Sequence, residues 1–286
     1  MPHITVNLTT TESRQKFCIQ TILSLTQQTI TPDKIRVWIS REPYLRDTGI
    51  NTEPNWVTDL NKIKNIIEIC WTKNTGPYRK LIPALKSADD DDIIITADDD
   101  IIYGETWLES LLLASKENPD MIIAARVKKI TRNFLGIQKS YMQWPIITED
   151  SILKKDFIVT HGGGTLFKKK FIRRDLLDNE NFISVCPTTD DLWFSMLANK
   201  SASDIYVCTA ALKELFFISH DDGLVGHNTL ITSKKIAEKI YQKTILNIFG
   251  IIGFNICGND HSHKKIKDYS NTLKQTLRQN RSNITN

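Results

Sequence analysis

Apolar positions in the first half of the chain come in two alternating rhythms. Residues 4–8, 34–40, 66–71, 92–96 and 121–127 are short apolar runs rich in Ile and Val, of the length expected for strands. Between them, residues 12–28 carry apolar Phe17, Ile19, Ile22, Leu23 and Leu25 at helical spacing, with Thr11 as N-cap. Residues 56–64, 78–87 and 106–116 read as further helices, the last with Trp107, Leu108, Leu111 and Leu112 turned inward. Residues 41–54 hold Pro43, Gly49 and Pro54 and read as a loop.

Continuous apolar strands separated by helices predict an α/β fold, a mostly parallel sheet with helices on both faces. Ligands of such sheets bind outside the carboxyl ends of the strands. The second half is less regular. Residues 131–157 read as an insertion, 158–168 as a strand broken by Gly162, Gly163 and Gly164, 190–198 as a helix, and 204–208 and 215–219 as strands.

Composition narrows the class. A 286-residue chain with 41% hydrophobic residues can bury a sizeable core. Its net charge of +4 is concentrated late, where Lys234, Lys235, Lys239, Lys243, Lys264, Lys265, Lys267, Lys274, Arg278 and Arg281 face only Glu238, Asp260 and Asp268. The division expected is a body at 1–230 and a basic helical extension at 231–286 that associates with a partner or an anionic membrane surface. No nucleic-acid-binding motif accompanies these bases, so no nucleic-acid partner is expected. Cys18, Cys70, Cys186, Cys208 and Cys257 are scattered and odd in number, which fits reduced thiols in a cytoplasmic protein. The amino terminus lacks a basic stretch leading into an apolar one, so no signal peptide is expected. The apolar stretch 245–257 is shorter than the roughly 20 residues of a spanning helix. Between its basic flanks it suits a peripheral position at the inner face of a membrane.

The candidate chemistry is acidic. Asp98, Asp99 and Asp100 follow the strand at 92–96, and carboxylates at i and i+2 can converge on one hard cation, Mn2+ or Mg2+. Asp89 to Asp92 precede that strand, at its opposite end, and read as a solvated loop. Asp190 and Asp191 open a helix, where one carboxylate would serve as a cap and leave the other available. His161 and the three glycines after it allow backbone to approach a ligand closely.

Four segments in order resemble the GT-A glycosyltransferases related to family 2. Residues 96–111 look like their Asp-X-Asp region. Residues 24–28 with 32–35 resemble the first helix and second strand. Residues 74–85 resemble the Gly-containing loop, and 188–193 the acidic pair that opens the catalytic helix. The resemblance spans about residues 4–200. It implies a hexosyltransferase of polysaccharide or lipooligosaccharide type, carrying a sugar from a UDP-sugar to a hydroxyl of a glycan or lipid-linked acceptor, with inversion. It assigns Asp100 and Asp98 to the metal, Asp98 also to the ribose, and Asp191, beside Asp190, to the general base. Thr9, Thr10, Thr11 and Arg14 would line the nucleotide pocket together with Asp99. Arg79 and Lys80 would meet the diphosphate, and Gly163 and Gly164 the donor sugar or acceptor. A late histidine, His220 or else His227, would join the metal. Ser40-Arg41-Glu42 departs from the acidic residue many relatives carry after the second strand. A nucleotidyltransferase and a catalytically silent sugar-binding protein are the alternatives. The first would normally place a glycine-rich loop after the first strand, where this chain has Thr9, Thr10 and Thr11.

Overall fold

The computed structural model describes residues 2–219 and 236–284. His220 and His227 lie outside the described residues. The chain runs β1 (Ile4–Thr9), α1 (Gln15–Thr26), β2 (Lys34–Ile39), α2 (Asn55–Ile63), β3 (Ile67–Trp71), α3 (Ile82–Ser87), β4 (Ile93–Thr96), β5 (Ile101–Tyr103), α4 (Trp107–Glu117), β6 (Ile122–Ala124), β7 (Val127–Lys129), β8 (Ser151–Leu153), β9 (Phe157–Val159) and β10 (Thr165–Phe167). It continues through α5 (Arg174–Leu177), α6 (Phe182–Val185), α7 (Asp190–Lys200), β11 (Ile205–Val207), α8 (Thr209–Lys213), β12 (Leu215–Phe217), α9 (Ile236–Ile252) and α10 (Gly258–Ile284).

Eight strands form one sheet in the order β3-β2-β1-β4-β10-β6-β11-β8. The first four are parallel, in the register Val6 to Ile35 and Val6 to Ile95, while β10 runs antiparallel between β4 and β6. Their side chains alternate between two cores. Val6, Leu8, Val37 and Ile95 pack with Ile22, Leu25, Trp107 and Leu111 on one face. On the other, Ile94, Phe167, Ile122 and Val207 pack with Leu81, Leu85, Trp193 and Leu197. The inner strands β1, β2 and β4 are largely buried on both sides, which is why they read as apolar runs.

The differences from expectation are local. A short 3-10 turn, Glu12–Arg14, precedes α1, and Thr11 makes no side-chain capping bond. The insertion supplies β8, which extends the sheet edge beyond β11. The glycine-broken strand resolves into β9, a 3-10 turn at His161–Gly163, and β10. β5 pairs with β12 in a separate ribbon.

The late helices are attached to the body. α10 lies against α7 and α6, with Ile266 in the core and Tyr269 stacked on Trp193 at 5.4 Å. Asp260 ties the start of α10 to the insertion. It accepts hydrogen bonds from Ser140 Oγ and Tyr141 N at 2.7 Å each, and from Ile256 N at 2.9 Å. No helix of the described residues is long and apolar enough to cross a membrane.

Candidate active site

The topology sets the site. β1, β4 and β6 end at the sheet edge where antiparallel β10 begins, as the pairing of Thr165 with Thr96 and Ala124 shows. The loops leaving those strands surround a cleft of about 760 Å³, within the usual range for small-molecule sites.

The acidic turn after β4 divides its labour. Asp99 is buried and held by protein donors. Thr10 Oγ1 donates to its Oδ2 at 2.7 Å, and Arg14 Nε lies 3.0 Å from both of its oxygens. Arg14 Nη2 also reaches Asp100 Oδ2 at 3.0 Å. Burial opposes the charge of Arg14, and Asp99 and Asp100 outweigh it, so its pKa is raised. Arg14 and Asp99, expected against the nucleotide, border the cleft and at the same time brace the turn. Asp98 and Asp100 keep 37% and 26% of their side-chain surface exposed and line the cleft.

Lys80, expected at a diphosphate, reaches Asp98 Oδ1 at 2.6 Å and Asp190 Oδ2 at 3.1 Å. It is buried, yet its pKa is raised because Asp190, Asp98 and Asp191 together outweigh the desolvation. Arg79 is buried against Asp47 at 2.9 Å. Its Nη2 donates to Thr10 O at 3.3 Å, and its Nη1 is buried without a partner among the described residues. Thr9 donates to Trp38 O at 2.7 Å, and Thr11 Oγ1 lies 3.4 Å from Ser13 Oγ. Thr9, Thr10, Thr11, Arg79 and Lys80 all border the cleft.

Neither member of the acidic pair on α7 caps the helix through its side chain. Thr189 occupies the N-cap position, and both carboxylates sit in the first turn, where the helix dipole favours them. Asp191 Oδ1 instead accepts the backbone N–H of His161 at 2.8 Å. Burial, then the negative charge of Asp190, push its pKa up to about 7 despite Lys80. Asp98 is raised as well, by burial first, with Lys80 pulling the other way.

The glycines are needed for close approach. A Cβ on Gly162 would stand 1.9 Å from Asp98 Oδ2, and Gly164, at φ +105°, lies flat against the Trp107 ring. Tyr103 locks this arrangement, donating to Gly162 O at 2.6 Å while its oxygen accepts from Asp98 N at 2.9 Å. Trp107 Nε1 donates to Gly163 O at 3.0 Å. The His161 ring is 1% exposed, lies beside Phe167 and Phe194, and is held neutral by burial and by Lys80.

Among the described residues no three His, Cys, Asp or Glu side chains gather into a metal-binding cluster. Mg2+ and Mn2+ do not require one, since one or two carboxylates suffice when waters and substrate phosphates complete the shell. Asp98 and Asp100 fit that need, being hard oxygen donors at i and i+2 with surface open to the cleft. Tyr103, Asp47, Arg126 and Lys128 shape the cleft or its supports and were not legible as site residues. Only the alternation of Arg126 and Lys128 after an apolar strand carried a signal.

An open, mostly parallel sheet with carboxylates and glycines at its strand ends is the arrangement of GT-A enzymes. The chain belongs to glycosyl transferase family 2, whose family model matches residues 9–176. Among solved structures, the crystal structure of S. aureus TarS 1-349 matches at a TM-score of 0.45 and 14% identity, over 73% of this chain. The match covers 58% of that chain, less than two thirds of its length. No curated protein matches.

Proposed function

We propose that the enzyme transfers a hexose from a UDP-sugar to a hydroxyl of a glycan or lipid-linked acceptor, with inversion and with Mn2+ or Mg2+. The observation that carries this reading is the placement of Asp191 in the same cleft as Asp98 and Asp100, its carboxylate aimed by the His161 N–H.

Asp98 and Asp100 would hold the cation, which when bound neutralises charge on the leaving diphosphate. Arg14 and Lys80 keep the carboxylates spaced and oriented. Arg79 and the threonines after β1 line the donor side, with the unpartnered Arg79 Nη1 as a donor in reserve. Asp191, ionised, takes the proton of the acceptor hydroxyl. The oxygen attacks the anomeric carbon opposite the leaving group, the new C–O bond forms, and the bond to UDP breaks with its electron pair staying on the phosphate. A base with a pKa of about 7 is matched to this work near neutrality.

A screen of nucleotide sugars by thermal shift, with and without Mn2+, followed by assay of UDP release, tests this reading. Stabilisation by UDP-hexoses only with the cation supports it. Stabilisation independent of any divalent ion overturns the metal assignment.

The same proposal seats the enzyme at the inner face of a membrane. Phe134, at the tip of the insertion, is 95% exposed. Leu135, Ile248, Phe249, Ile251, Ile252 and Phe254 are exposed too, and Asn133 Nδ2 joins the two segments at Ile252 O, 3.2 Å away. Lys264, Lys265 and Lys267 add positive charge on α10. Removing everything after residue 243 would unseat α10 from the core, so the test uses Phe134→Ser with Leu135→Ser. Loss of co-sedimentation with anionic liposomes supports docking, and a wild-type chain that stays in the supernatant at low salt refutes it.

A further inference from the structure

Arg126 follows β6, and Lys128 stands two residues on, in β7. Alternate residues of an extended chain share a face, and Val127 between them is buried, so both cations face the cleft they line. Neither is ion-paired among the described residues, whereas Arg14, Arg79 and Lys80 each are. Arg126 Nη1 donates to Thr160 Oγ1 at 3.2 Å, and its guanidinium lies 5.5 Å from the centre of the Phe217 ring. Lys128 Nζ donates to Tyr141 O at 3.2 Å and sits 4.1 Å from the centre of that ring. Holding two neighbouring, half-buried cations with no ion pair among the described residues is costly: burial, then the like charge of Arg126, brings Lys128 down to about 8, although Cys257, Asp191 and Asp260 pull the other way. An incoming anion removes that cost.

The pair lies next to the base. Thr160 N donates to Arg126 O at 2.9 Å, and the next residue, His161, holds Asp191 through its N–H. We infer that Arg126 and Lys128 form an acceptor subsite for an anionic group, a phosphate or carboxylate on the acceptor glycan or on its lipid carrier. This rests on the reading of Asp191 as the base of glycosyl transfer. A negative group bound here sets the acceptor hydroxyl beside Asp191, while the Tyr141 and Phe217 rings hold the two cations in place.

The test measures equilibrium binding to the full chain, with and without UDP and Mn2+, for glycerol phosphate, glucuronate and neutral glucose. Vesicles with and without a polyprenyl phosphate report on the lipid source. At least one anionic probe is expected to bind about tenfold tighter than its neutral counterpart, a difference of about 1.4 kcal/mol. Arg126→Gln with Lys128→Gln should erase that preference and leave UDP affinity unchanged, with each single variant showing part of the loss. Equal binding of anionic and neutral probes overturns the subsite. So does a double variant that loses UDP affinity, because the cations would then serve the donor diphosphate. If the wild-type chain fails to bind UDP, the donor reading falls, and anion binding without nucleotide still decides the subsite.

Discussion

The Lys80 ammonium lies 2.6 Å from Asp98 Oδ1 and links the acidic turn after β4 to the start of α7, where it meets Asp190. A buried cation among carboxylates is a fixed charge that holds two elements at one spacing. It also lowers the pKa of Asp191 below what burial alone would set.

Lys80→Met is expected to cut turnover at pH 7 by about tenfold or more, since the base becomes protonated and Asp98 loses its partner. Removing the positive charge raises the Asp191 pKa, so the acidic limb of the rate profile moves to higher pH. An unchanged limb in kcat against pH would show that Lys80 does not act on the base.

In the wild-type enzyme the rate should rise with pH through about 7, because Asp191 works only when ionised. Asp191→Asn removes that limb. Turnover falls by roughly a hundredfold or more while donor affinity stays within a factor of two. Donor titrations beside initial rates read both. A parallel loss of binding and rate would assign Asp191 to structure.

Asp99 braces the acidic turn. Asp99→Ala leaves Arg14 with Asp100 alone and the buried Thr10 Oγ1 without its acceptor, and is expected to cost about 2 kcal/mol of stability. Urea unfolding measures it, and a loss below about 1 kcal/mol would contradict this role.

Gly162→Ala tests the fit of the glycine turn. The added methyl would sit 1.9 Å from Asp98 Oδ2, and the carboxylate has to move. Transfer should fall at least tenfold with the melting temperature within a few degrees of wild type. A fully active variant would show that the position of Asp98 is not critical.

Much of this was legible in the sequence, for a physical reason. The parallel strands β1, β2 and β4 are largely buried on both faces, so they stand out as apolar runs, and the acidic turn sits at the end of one of them. β8 was hidden because a three-residue edge strand with no buried residue has little pattern. β5 and β12 pair across more than a hundred residues, beyond the reach of local periodicity. The acidic pair was found, but not its anchoring, because the His161 N–H that holds Asp191 comes from the glycine turn and not from α7. Asp47 looked like a loop residue until Arg79 was seen buried against it.

The central claim, a divalent cation held by Asp98 and Asp100 for the nucleotide sugar, is tested most directly by titrating UDP into wild type and Asp100→Ala, each with Mn2+ and with EDTA. The wild-type chain should bind UDP at least tenfold tighter with Mn2+, and Asp100→Ala, still folded by circular dichroism, should lose that gain. Equal UDP affinity for the two proteins in Mn2+ would contradict it.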